Sequence, residues 1–98
     1  MAYREIVIET YRNLGEPSEK AIRARPLLGQ GLSTEMKVEC SSKMRNRYPI
    51  GTKIVIQCKV TDRKGGLPFL YSHYNSPYRV VTGAEAADFV RSRYGKRL

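Results

Sequence analysis

The clearest signal in the chain is a run of alternating apolar and polar side chains from Thr52 to Thr61. Ile54, Ile56, Cys58 and Val60 fall on one side of an extended segment, and Lys53, Val55, Gln57 and Lys59 on the other. That is the period of a half-buried strand. Thr34 to Ser41 alternates the same way, with Met36, Val38 and Cys40 set against Glu35, Lys37 and Glu39. Tyr3 to Thr10 is rich in β-branched residues, Leu67 to Tyr74 reads as a further strand, and Tyr78 to Val81 fits a short last one. Residues 17–25 are ambiguous. Ile22 and Ala24 alternate with Arg23 and Arg25 as in a strand, while Pro17-Ser18-Glu19 has the chemistry of a helix start. Pro26 would stop such a helix early, so a strand over Lys20 to Arg25 is preferred.

Turn chemistry separates these segments. It occurs at Asn13 to Ser18, at Gly29-Gln30-Gly31 and at Tyr48-Pro49-Ile50-Gly51. Asp62-Arg63-Lys64-Gly65-Gly66 has the composition of a hairpin loop, and Asn75-Ser76-Pro77 breaks the strand before it. The chain ends in a helix. Thr82 and Glu85 have the spacing of a capping box, Ala86, Phe89, Val90 and Tyr94 form one apolar stripe, and Gly95 is a natural stop. Four to five strands and one C-terminal helix in 98 residues predict a single domain over residues 1–98. Its class is mainly β (α+β), a small antiparallel SH3-like or OB-like barrel or curled sheet. A split β-α-β sheet is the alternative if residues 17–25 are helical.

Charge changes this picture more than composition does. The apolar and charged fractions, 41% and 28%, are ordinary for a globular domain, whereas the net charge of +9 is not. The excess is unevenly placed. Residues 1–40 carry six basic and six acidic groups; residues 41–84 carry eight basic groups against Asp62 alone. The eight are Lys43, Arg45, Arg47, Lys53, Lys59, Arg63, Lys64 and Arg79. Lys53 and Lys59 share the outward face of the main strand. With the flanking loops they are expected to make one basic surface, the footprint of a polyanion binder. Phe69, Tyr71, His73, Tyr74 and Tyr78 are interleaved with this block. Cations matched to phosphate and rings that stack on bases are what single-stranded nucleic acid requires. The same rings on one strand face are equally what a core edge looks like, and a charge run is often a solvated face.

Catalytic and metal chemistry find little support. Cys40 and Cys58 form no C-x-x-C pair, and one histidine cannot complete a zinc site with them. Each lies on the apolar face of its strand, where a thiol is inert. Gly29-Gln30-Gly31 lacks the third glycine of a dinucleotide loop, and no G-x-S-x-G elbow occurs. His73 with Arg79 could serve a metal-independent RNA-cleaving toxin, as base and phosphate clamp; a hydrogen-bonded strand-edge histidine is the simpler role. The N-terminus shows no secretory pattern and no aliphatic run exceeds the length of Ile54-Val55-Ile56, so a cytoplasmic protein without a membrane role is expected.

The sequence therefore predicts a small basic domain, not an enzyme, that binds nucleic acid mainly through phosphate contacts and needs no cofactor or metal. Its contacts are expected from the eight cations above, with Tyr71, His73 and Tyr74 as stacking residues. The RNA-cleaving toxin is one alternative. A protein-interaction module, or a homodimer formed through an exposed strand edge, is the other.

Overall fold

The computed structural model describes residues 3–13, 22–62 and 66–95. Its elements are β1 (Arg4–Arg12), β2 (Ile22–Pro26), β3 (Val38–Glu39), α1 (Ser42–Arg47), β4 (Lys53–Thr61), β5 (Phe69–Tyr71), β6 (Tyr78–Val81) and α2 (Gly83–Tyr94). The hydrogen-bonded order is β2-β1-β4-β5-β3, and β6 shares with β5 the second edge of β4. All pairs are antiparallel except β3 with β5. β3 returns against β2 without joining it in the ladder. The six-stranded sheet forms a nearly closed SH3/OB-like barrel with a seam between β2 and β3.

The alternation read from Thr52 to Thr61 holds. Ile54, Ile56 and Cys58 enter the barrel with Ile6, Ile8, Ala24, Val38, Met44 and Leu70. Val7 and Val55 break the pattern because the outer face of β1 and β4 is also covered. There α2 lays Ala86, Phe89 and Val90 over them, beside Leu27 and Val81. Val7 and Val55 are 0% and 2% exposed, and each contributes about 1.5–3 kcal/mol by leaving water. The capping box is present as read: Thr82 Oγ1 accepts from the Glu85 N–H at 3.0 Å, and Glu85 accepts from the Thr82 N–H at 2.9 Å.

Three expectations are corrected. The segment Thr34 to Ser41 pairs only over Val38–Glu39, because residues 28–35 turn repeatedly before it. The strand expected from Leu67 to Tyr74 is confined to Phe69–Tyr71, and Leu70, not the aromatics beside it, faces the core. The described residues hold two helices, not one. Ser42–Arg47 is helical, with Ser41 Oγ accepting from the Met44 N–H at 3.2 Å and Met44 buried in the barrel end. Of the ambiguous 17–25 segment, residues 22–25 are strand and the rest lies outside the described residues. The hairpin positions Arg63, Lys64 and Gly65 also lie outside them.

One polar side chain completes the sheet. β2 ends at Pro26, which has no N–H to offer, and the Leu27 N–H donates to Val7 O at 3.0 Å. The chain then turns through Gly29 and Gly31, at φ +102° and +76°, conformations that side chains strongly disfavour. Between them Gln30, 1% exposed, inserts its amide beside β1. Its Oε1 accepts from the Val7 N–H at 2.8 Å, and its Nε2 donates to Val7 O at 2.9 Å and Leu27 O at 3.0 Å. Gln30 thus stands in for the strand residue that β2 lacks.

Candidate nucleic-acid interface

The outward face of β4 does not carry the bare basic surface expected of it. Antiparallel pairing sets Glu9 opposite Lys53 and Glu5 opposite Gln57, so the carboxylates of β1 share that face. Glu9 lies between Lys53 Nζ at 3.4 Å and Arg25 Nε at 3.0 Å. Glu5 lies between Arg79 Nη1 at 3.8 Å and Arg93 Nη2 at 3.0 Å. Arg79 and Arg93 also lean on the ring of Phe89 in α2. Lys59 is set against the ring of Tyr3, 5.3 Å from its centroid. Two of the eight expected contacts, Lys53 and Arg79, are therefore answered by acids from the first forty residues. By local charge those acids belong to a neutral, separate half of the chain.

A different surface is brought together by the parallel pair β3 and β5. The Leu70 and Ser72 N–H groups donate to Lys37 O and Glu39 O, each at 2.9 Å. Because the strands run the same way, the chain leaves both at the same end. Residues 40–48 continue through α1 and residues 72–78 through a turn, and the two paths meet where the Tyr48 and Tyr78 hydroxyls lie 3.2 Å apart. The two rings pack edge to face at 6.3 Å. No carboxylate occurs in either segment.

Lys43 and Arg47 project from α1 as exposed cations, Arg47 lying over the Tyr48 ring. His73 stacks on Tyr74 at 4.7 Å, and Tyr74 is 74% exposed. The turn is tied by Asn75 N–H donating to His73 Nδ1 at 3.0 Å and Ser76 N–H to His73 O at 2.9 Å. Tyr71 is half-buried in β5, in register with Glu39 and Lys59. The hydrogen bond to Tyr78 pushes the Tyr48 hydroxyl pKa up. The surface is a basic rim with planar side chains.

Arg45 behaves differently from its neighbours on α1. Its Nη1 donates to Cys40 O at 2.8 Å and reaches Cys40 Sγ at 3.5 Å, while its buried Nε has no hydrogen-bond partner among the described residues. It lines a cleft of about 510 Å³ at the β2–β3 seam, together with Tyr11, Arg23, Glu35, Lys37 and Glu39. Sequence reasoning misses these five because they belong to the electrically neutral part of the chain. The one legible signal is the outward position of Lys37, Glu35 and Glu39 in the alternating segment.

Neither cysteine is poised for chemistry. Burial pushes the Cys40 thiol up against the opposing effect of Arg45, and burial pushes Cys58 up to about 11. For the cleavage reading, Arg79 is engaged by Glu5 and Phe89 while His73 is held in the stacked turn. Among the described residues no three His, Cys, Asp or Glu side chains cluster as a metal site requires, and no helix is long and apolar enough to cross a membrane. No protein-family model, curated protein or solved structure matches the chain.

Proposed function

We propose that this domain binds single-stranded nucleic acid along the rim formed by α1 and the 72–78 turn. Phosphates lie against Lys43 and Arg47, and bases stack on Tyr74 and its partner His73. The observation that carries the reading is the union of two acid-free segments into one surface holding exposed cations and an exposed aromatic stack. Ordinary surfaces intersperse both signs of charge. A partly open OB-like barrel is also a frequent carrier of oligonucleotide sites, by analogy of fold. Arg63 and Lys64, outside the described residues, remain candidate contacts, whereas Lys53 and Arg79 are assigned to ion pairs with β1.

The test is fluorescence anisotropy with labelled single-stranded oligonucleotides of mixed sequence. Dissociation constants of about 10⁻⁴ to 10⁻⁶ M are expected at physiological salt for contacts made mainly to the backbone. Tyr74→Ala should weaken binding on the order of tenfold, the effect of losing one stacked base. Absence of binding at low salt would end the proposal.

A second reading rests on β6, which among the described residues has β4 on one side only and exposes Tyr78 and Val80. Such an edge can pair with its own copy. A concentration-dependent dimer in light scattering, lost when proline replaces Val80, would support it.

A further inference from the structure

We propose that the β2–β3 cleft reads one base of the bound strand and selects a base that carries an exocyclic amino group, cytosine over uracil. The inference rests on the rim reading above and extends it from phosphate contact to base choice. The cleft, about 510 Å³, falls within the range of small-ligand sites. Its lining holds two carboxylates, Glu35 and Glu39, beside the cations Arg23, Lys37 and Arg45 and the ring of Tyr11. A bare phosphate would meet the carboxylates unfavourably, and an apolar ligand would strip water from these charged groups without returning a hydrogen bond. A nucleotide suits both signs. Its amino group donates to a carboxylate, its phosphate faces Lys37 and Arg45, and its ring has Tyr11 as a platform.

Ionised carboxylates only accept hydrogen bonds. They favour the amino edge of cytosine and repel the carbonyl that uracil presents at the same position. The backbone that carries Glu35 is also held in place. The Glu35 N–H donates to Ser33 Oγ and the Met36 N–H to Ser33 O, each at 3.1 Å, and Met36 packs against the core. On the opposite wall the Tyr11 ring is braced by Arg25, whose guanidinium carbon lies 4.6 Å from the ring centroid. Arg45 lines the cleft and stands on α1, the helix that also carries Lys43 and Arg47, so the cleft and the rim share one short element.

The experiment compares homopolymeric C and U hexanucleotides, in ribo and deoxy forms, by anisotropy against the wild type and Glu35→Ala/Glu39→Ala. The readout is the ratio of the two affinities, which cancels the general electrostatic gain from removing two acids. Cytosine should be favoured on the order of tenfold in the wild type, and the ratio should approach one in the variant without loss of uracil binding. Equal binding of both by the wild type, or a preference that survives the variant, would overturn base selection in the cleft and leave the rim reading standing. No binding of either oligonucleotide would remove both.

Discussion

Replacing Gln30 by alanine tests whether a side chain completes the sheet. The substitution removes three hydrogen bonds, from Val7 N–H to Oε1 and from Nε2 to Val7 O and Leu27 O. Val7 O keeps its bond from the Leu27 N–H, so the main loss is at the Val7 N–H, which is left in a residue with no exposure. An orphaned buried donor costs about 1–3 kcal/mol, and the vacated volume of a side chain with almost no exposure adds to it, giving a total of about 2–4 kcal/mol. Urea unfolding followed by circular dichroism should show the midpoint falling by about 1–2 M at unchanged slope. Gln30→Glu sharpens the test. Ionised, it keeps an acceptor for the Val7 N–H but sets an oxygen against Val7 O and Leu27 O; protonated, it donates to one of them. Its folded-state carboxyl pKa is therefore raised. Measured relative to wild type at each pH, its stability should be retained below the unfolded value of about 4.3 and fall away as pH rises through the folded one. A midpoint for Gln30→Ala within error of wild type would refute the reasoning.

The other predictions concern the elements that support the site. Met44→Ala should cost about 2–5 kcal/mol, because this side chain anchors α1 in the barrel end, and denaturant titration measures it directly. Gly29→Ala should destabilise by more than about 1 kcal/mol, since φ is +102° and the new Cβ would sit 3.0 Å from Val90 Cγ1; the thermal midpoint reports it. Cys58, pushed up to about 11 by burial, should resist iodoacetamide at pH 8 in the folded protein and react quickly in urea, as mass spectrometry would reveal.

The barrel and α2 are legible in the sequence because their signals are local and repeated. Period-two alternation places β4, and a capping box with an apolar stripe places α2. α1 is not legible: it has six residues and a single buried side chain, Met44, so no helical period develops. The short β3 reads as longer than it is because Met36, Val38 and Cys40 alternate through a segment whose backbone turns. The candidate site is only half visible. Lys43, Arg47, His73 and Tyr74 share the rim because β3 and β5 are parallel, a long-range fact that spacing does not reveal. Lys53 and Arg79 are misplaced by sequence for a related reason. Their partners Glu9 and Glu5 are distant in sequence, and only the register of β1 against β4 brings them onto the same face. A local charge count cannot see such neutralisation.

The central claim, that the rim and not the outer face of β4 meets the phosphates, is best tested by the salt dependence of single-strand binding. Two paired substitutions should be compared with the wild type. Lys43→Ala/Arg47→Ala is predicted to reduce the slope of log affinity against log salt by about 1.4, or about 0.7 for each phosphate that is no longer neutralised. Lys53→Ala/Arg79→Ala should leave the slope unchanged and the affinity within about twofold, since Glu9 and Glu5 already engage these two cations. The reverse pattern, with the outer-face pair carrying the slope, would contradict the account.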